Sequence, residues 1–359
     1  MFKKTILTGL TGLILASGAF AVDLSKFSQD FNALVQGLGR DATPSLLLGA
    51  LAGDLQGDAS IDHFSITPLA FGVNATDGLG TILQPGAHDW QFVLHLDNMV
   101  NDNASSSSTF FEHLMLYPSM KSAVGMAFGT WDVTLSGFYF PQALTQALTG
   151  LDSSGKANKL SPQFSFGNIG VEVRKHLVAD SGSFSWVPAL SLGVGYHITY
   201  FDLGLNVTSL SDLGVGTQSV GPNQTLDLSG PMHFNTFSQV GTLDLHLSKH
   251  LAFFTPYVKL SGAYQNSTFT GSTNLTATVT DSSNSANNSS QPISANPVVN
   301  VSDFAFLANP GLEIDIFAFI LNINAVIDLG RANLDIHSFT LDGVDANGIV
   351  LNAGFRIAF

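Results

Sequence analysis

The final segment, Gly348–Phe359, reads G-I-V-L-N-A-G-F-R-I-A-F, and it restricts the fold more than any other feature. Leu351, Ala353, Phe355, Ile357 and Phe359 are apolar at strict period two, while Val350, Asn352, Gly354, Arg356 and Ala358 fill the alternate positions. Successive side chains of a strand point to opposite faces, so this segment has one greasy face and one mixed face. Such a strand suits a wall with lipid outside and a lumen inside.

The rest of the chain agrees. Charged residues make up only 11% of it, against about 25% in an ordinary soluble domain. Yet no stretch after residue 21 supplies the ~18 uninterrupted apolar residues of a spanning helix. A closed sheet is the remaining way to satisfy every backbone N–H and C=O in lipid. The expected fold class is therefore all-β, a transmembrane antiparallel β-barrel of 10–12 strands or more with a short N-terminal helical segment. A soluble periplasmic β-sandwich is the alternative built from the same strands. The chain has no Cys, so neither disulfides nor a thiolate metal site is expected. The formal charge of −14 argues against nucleic acid as a partner.

At the N-terminus, Lys3 and Lys4 precede a short apolar run from Ile6 to Ala16, and Ala19-Phe20-Ala21 offers a small-x-small cleavage site. This pattern predicts a Sec-type signal peptide over residues 1–21; an uncleaved anchor is the alternative. Residues 22–60 then read as a separate helical leader. Leu24, Phe27, Phe31, Leu34 and Leu38 fall on one helical face, and Gly39 can end that helix. Thr43-Pro44 resembles an N-cap and first-turn pair for a second short helix through Leu48 and Leu51. This leader could plug a lumen, pack beneath it, or remain poorly ordered.

Residues 61–359 form the expected barrel. Alternation predicts strands near 63–74, 89–97, 118–128, 130–140, 163–175, 186–201, 236–247, 252–266, 303–316, 319–329 and 349–359. Residues 266–301, rich in Ser and Asn, read as the clearest long loop, followed by 204–235, 142–161 and 98–117. A repeat of strand, Lys-His-Leu, and a strand with an early Pro and late Tyr covers 169–196 and 243–264; residues 312–328 form a third hairpin turning at Phe317–Phe319. With these turns in the periplasm, counting back makes 89–97 the first strand and the total about ten. The segment 63–74 is then surplus: it needs a further partner or lies outside the wall.

The same alternation sorts the ionisable residues. Glu172, Arg174, Asp244, His246, Glu313, Asp315, Asn322, Asn324 and Arg356 fall on the lumen face near the periplasmic turns. They could form a polar constriction that binds the leader or screens solutes, with a slight preference for cations, or salt bridges that only brace the wall. On 186–201 the inward positions are Ala189, Ser191, Gly193, Gly195, His197 and Thr199, small residues that leave space or let the wall curve. Asp244 with His246 resembles the acid–His pairs of outer-membrane proteases and phospholipases. No G-x-S-x-G, H-E-x-x-H or phosphate loop is present, so no enzymatic activity, cofactor or metal is expected. Asp342–Gly348 reads as a hairpin connection more than a calcium loop.

The order of helical leader, Lys-His-Leu hairpins, T-P-Y-x-x-L strand and terminal G-F-x-I-x-F resembles uncharacterised outer-membrane β-barrel families of spirochaetes and Bacteroidetes. The leader and its Gly37-Leu38-Gly39-Arg40 break carry a weaker resemblance to FadL-type long-chain fatty-acid transporters. These likenesses imply the outer membrane of a diderm bacterium, lipid as the surrounding partner, and recognition of Phe359 by the barrel-assembly machinery. They imply a passive channel for small molecules, hydrophobic ones among them. The alternative function is a closed structural or surface-interaction barrel that works through its extracellular loops.

Overall fold

The computed structural model describes residues 32, 35–36, 47–48, 50–51, 57–59, 64–74, 119–140, 163–180, 186–207, 218–221, 223–330 and 349–359. Twelve strands form one antiparallel sheet: β1 (Ser65–Asn74), β2 (Ser119–Phe128), β3 (Trp131–Phe140), β4 (Gln163–Val178), β5 (Ala189–Val207), β6 (Gln218–Gly221), β7 (Gln224–Ser248), β8 (Phe254–Asp281), β9 (Ser289–Ala295), β10 (Val298–Ile316), β11 (Phe319–Asp328) and β12 (Ile349–Ala358). All but β6 and β9 close into a ring in the order β7-β5-β4-β3-β2-β1-β12-β11-β10-β8, which returns to β7. Closure leaves no free edge around the ring.

The ring of ten matches the expected count, but its membership differs. The closing strand is β1, which pairs with β12 on one side and β2 on the other. The segment 63–74 thus belongs to the wall, with a bulge at Pro68 whose carbonyl accepts from Ser122 Oγ at 2.6 Å. Residues 89–97, expected as the first strand, lie outside the described residues. So do residues 1–21, the connections 98–117 and 142–161, and most of both leader helices. Asn32, Val35, Gln36, Leu47, Leu48, Ala50 and Leu51 have helical backbone.

Tight connections gather at one end of the ring. Gly129-Thr130 joins β2 to β3, and Phe317-Ala318 joins β10 to β11 within the turn expected at Phe317–Phe319. Gly129 has φ of 65° and Phe317 a φ of 59°. Two-residue hairpins need that left-handed geometry to match strand twist. Glycine adopts it freely, whereas Phe317 adopts it at a steric cost.

The expected loop 266–301 is overturned. Its first half is the upper part of β8, its second half contains β9 and the start of β10, and only one turn of 3-10 helix at Ser285–Asn287 intervenes. Part of 204–235 is likewise strand, as β6 and the first half of β7. Burial keeps one alternating phase along both long strands, interrupted only near Gly230, Thr242 and Val279. The composition of the two faces, however, reverses partway up. On the outer face of β8, Pro256, Val258, Leu260 and Tyr264 give way to Asn266, Thr268, Thr270, Asn274, Thr276 and Thr278. On its inner face, Tyr257, Lys259, Ser261, Gln265 and Ser267 give way to Phe269, Leu275 and Ala277. β7 changes over at the same height, with Leu243 and Leu245 outside below and Leu226, Leu228, Met232 and Phe234 inside above.

Candidate functional site

Inside the ring near the tight turns, two polar networks meet one short stretch of the leader, Gly57–Ala59. The first is centred on Arg174 of β4, fully buried. Its Nε donates to Asp132 Oδ1 on β3 at 3.0 Å, and one terminal nitrogen reaches His246 Nδ1 on β7 at 2.7 Å and the Asp58 carbonyl at 3.2 Å. Asp132 Oδ2 also holds His176 Nε2 at 2.7 Å. Glu172 lies 4.0 Å from Arg174 and 3.4 Å from Lys259 Nζ.

The second network is centred on Glu313 of β10. Its Oε1 accepts from Arg356 at 2.9 Å, from Asn322 Nδ2 at 3.1 Å and from the Gly57 backbone N–H at 2.7 Å. Asn322 Oδ1 accepts from Tyr257 Oη and Asn324 Nδ2, and Asn324 Oδ1 from Asn352 Nδ2 at 2.7 Å. Tyr257, Asn324 and Asn352 share one row across β8, β11 and β12, through Gly311 of β10, and Asn322 stands one row away, beside Asn324 on the same face of β11. His246 and Tyr257, with ring centroids 5.5 Å apart, join the two networks.

Leader contacts continue on either side. Ser248 Oγ donates to Asp58 Oδ1 and accepts from Ala59 N–H, both at 2.9 Å. Lys121 Nζ donates to the Ala50 carbonyl. Leu47, Leu48, Ala50 and Leu51 form one buried apolar cluster with the inward-facing Val240, Ala263, Ala305, Leu307, Val326 and Val350. The fit at Gly57 is tight: a Cβ there would stand 2.3 Å from Tyr257 Cε1 and 2.6 Å from Glu313 Cγ. No side chain larger than hydrogen fits that space.

The nine candidates face inward, and seven of them join these networks: Glu172, Arg174, His246, Glu313, Asn322, Asn324 and Arg356, all buried. Asp244 sits at the edge, its Oδ2 accepting from Thr242 Oγ1 at 2.9 Å. Asp315 stays apart, half-buried at the rim and 3.6 Å from His250 Nδ1. The acid–His pair is not Asp244 with His246 but Asp132 with His176. Most of these charges are paired: Arg174 with Asp132, Lys259 with Glu172 and Arg356 with Glu313. The small residues of β5 are neither open space nor mere curvature. Arg174 lies across Gly193, Thr242 across Gly195, and His197 of β5 across Gly170 of β4. Sequence reasoning missed Asp132, Lys121, Lys259, Ser248 and the Gly57–Ala59 contact. The first three sit at inward positions of W-D-V-T, S-M-K-S and T-P-Y-V-K, where the alternation already marked them.

No family model matches the chain, and no curated protein matches it. Among solved structures, the Ralstonia pickettii toluene transporter TbuX aligns over 86% of this chain and 92% of its own, at 12% identity and a TM-score of 0.25. LpxR from Salmonella typhimurium aligns over 83% of this chain and 100% of its own, at 8% identity and a TM-score of 0.21. Likeness at that level carries no argument about activity, and the barrel-family resemblances rest on residue patterns alone.

Proposed function

We propose that the chain spans an outer membrane as a ten-stranded barrel and passes small apolar molecules through a lumen closed by its own N-terminal segment, residues 22–60. The outer wall supports a membrane setting. Leu243, Leu260, Leu312, Ile316 and Ile323 are exposed on it, with Trp131, Phe253, Phe317 and Phe319 at one end and Tyr139, Tyr196, Tyr264 and Phe304 at the other. On β8 this band runs from Phe254 to Tyr264. At ~3.3 Å per residue and a tilt near 40°, such a run spans about 25 Å, the height of the apolar band of outer-membrane barrels.

The observation that carries the functional reading is the leader seated among the inward-facing residues. Its backbone is gripped at Gly57, Asp58 and Ala59, and its leucines cover the apolar part of the wall. A purely structural barrel has no need of a separate segment held in its lumen by hydrogen bonds from four strands. The apolar inner face of β7 and β8 above that seat gives apolar molecules a surface to follow inward. The test is influx into proteoliposomes carrying the full chain or a chain lacking residues 22–60. Faster influx of a small apolar solute through the shortened chain is the expected result; equal influx, at the level of protein-free vesicles, refutes the channel.

A second reading, a surface-interaction barrel, has its own observation. β7 and β8 continue beyond the height of Tyr264 and, with β6 and β9, form an arm whose outer face on β8 is Asn, Thr and Ser. Loss of surface binding on trimming 266–301, with influx unchanged, favours that reading.

A further inference from the structure

We infer that the lumen above the leader selects apolar molecules that carry a hydroxyl group, phenols and alcohols, over both hydrocarbons and carboxylates. The inference rests on the channel reading and names the substrate class of that lumen. Two consecutive rows of inward-facing residues cross β4, β5, β7 and β8. One row is aromatic: Phe166 stands opposite Phe201, Phe201 opposite Thr236, and Thr236 opposite Phe269. The row below it is polar: Asn168, Thr199, Ser238 and Ser267 stand opposite one another in turn, with Gln265 next to Ser267 on the inner face of β8.

The amides of the polar region are only half used. Asn168 Nδ2 donates to Thr199 Oγ1 at 2.9 Å. Gln265 Nε2 donates to Ser238 Oγ and Ser267 Oγ at 2.9 and 2.8 Å. Asn168 Oδ1 and Gln265 Oε1 have no hydrogen-bond partner, although the residues are only 5% and 0% exposed. Buried amide edges nearly always find a partner. Two of them beside a row of phenylalanines describe a site for an apolar body with a polar tip.

The chemistry of the tip follows from what surrounds it. The free edges are acceptors and call for a donor. All the wall partners are hydroxyls, which accept or donate, so either amide could turn over and present nitrogen instead. A ligand hydroxyl satisfies both orientations, while a hydrocarbon satisfies neither. A carboxylate needs a cation to offset its desolvation. Among the described residues of these rows there is no Lys or Arg, and the charged neighbour, Asp303, stands opposite Gln265. That placement repels an anion.

The test uses the full chain in lipid nanodiscs and three tritiated probes of matched size: propylbenzene, 4-propylphenol and 4-propylbenzoate. Binding is measured by equilibrium dialysis with protein-free discs subtracted. The phenol is expected to bind on the order of tenfold or more tightly than propylbenzene, as one recovered buried hydrogen bond requires, and the benzoate weakest. In Asn168→Leu and Gln265→Leu the phenol loses that advantage while propylbenzene binding holds. The comparison within the wild-type chain needs no variant to fold. Equal binding of phenol and hydrocarbon, tighter binding of the benzoate, or undiminished discrimination in both variants overturns the inference and leaves the channel reading standing. Binding of none of the three overturns both.

Discussion

Gly57 offers the sharpest perturbation of the leader. In Gly57→Ala the added methyl would fall 2.3 Å from Tyr257 Cε1 and 2.6 Å from Glu313 Cγ, where carbon atoms pack no closer than ~3.5 Å. Tyr257 cannot swing away cheaply, because its hydroxyl donates to Asn322 and its ring fills the space over Gly311. Glu313 cannot either, since it is tied to Arg356 and Asn322. The leader therefore has to rise by about an ångström. That forfeits the 2.7 Å bond from Gly57 N–H to a carboxylate. A hydrogen bond to a charged group contributes about 1.5–3 kcal/mol, and residual overpacking costs about 1–3 kcal/mol. Together these shift the balance between seated and released leader by roughly 10²–10⁴-fold.

The absence of native Cys makes the shift measurable. A single thiol from Ala59→Cys, placed where Ala59 is fully buried, reports exposure of the leader through its rate of maleimide labelling. Labelling is expected to be slow with Gly57 present and to rise by about two to four orders of magnitude with Gly57→Ala. Heat-dependent gel mobility should be unchanged, because the hydrogen-bonded wall does not include residue 57. Proteoliposome influx should rise in parallel. Equal labelling rates with Gly and Ala at 57, in a chain that keeps its heat shift, would refute the reasoning that this contact holds the leader.

Three further outcomes follow from the same geometry. Arg356→Met strands Glu313, 2% exposed, without its cation; breaking one side of a buried pair costs about 3–5 kcal/mol, so the heat-induced mobility shift should occur at lower temperature, and adding Glu313→Leu should restore much of it. Gly230→Ala places a Cβ 2.4 Å from the Asn274 carbonyl at a φ of +138°, so hydrogen exchange should accelerate across Leu226–Ser229 and Asn274–Ala277 with the heat shift preserved. Asp281, at the tip of the arm, is held well below the usual carboxylate range by the Ser283 hydroxyl, the Asn287 amide, the Ser283 N–H and Gln224, against opposing desolvation. Its folded value lies below its unfolded one, so it supports the tip fully above about pH 5 and progressively less as pH falls through the ordinary Asp range toward the folded value; the exchange protection at residues 281–288, taken relative to the intrinsic rate at each pH, should fall from pH 6 to 2.5 and be already low and flat in Asp281→Asn.

Much of the lower barrel is legible because one period does two jobs there. In L-E-I-D-I or G-V-E-V-R, outward residues must be apolar and inward ones can be charged, so alternation gives both the strand and the lumen face, and Glu172, Arg174, Glu313 and Asn322 emerge together. The first strand is harder. Counting back from the turns made 89–97 the first strand, so the wall strand Ser65–Asn74, with its bulge at Pro68, looked surplus. The leader contact was invisible for another reason. Gly57, Asp58 and Ala59 act mainly through backbone groups and one small side chain, and periodicity says nothing about where a carbonyl points.

The upper halves of β7 and β8 show why composition misled where pattern did not. A loop and a sheet with a wet outer face share Ser, Thr and Asn, so 266–281 has the content of a loop. It does not have the order of one. Phe269, Leu275, Ala277 and Val279 keep the inward phase of Tyr257 and Ser261 below them, and the Thr residues between are β-branched and favoured in strands. What changes near Tyr264 is the sign of the pattern, not its period. Below it the outer face is apolar and the inner face polar; above it the order is that of any sheet in water. In the proposed membrane setting, a strand obeys both rules along one continuous run because its surroundings change from lipid to water partway up. The same reversal at the same height on β7, next to it in the ring, makes the change a property of the environment and not of one strand. Replacing the outward Leu260, below the reversal, with Arg should therefore cost about 2–4 kcal/mol as a charge near mid-membrane does. Thr276→Arg, above it, should cost almost nothing, and equal costs at the two positions, read from the heat-shift temperature, would remove the argument for a membrane boundary at Tyr264.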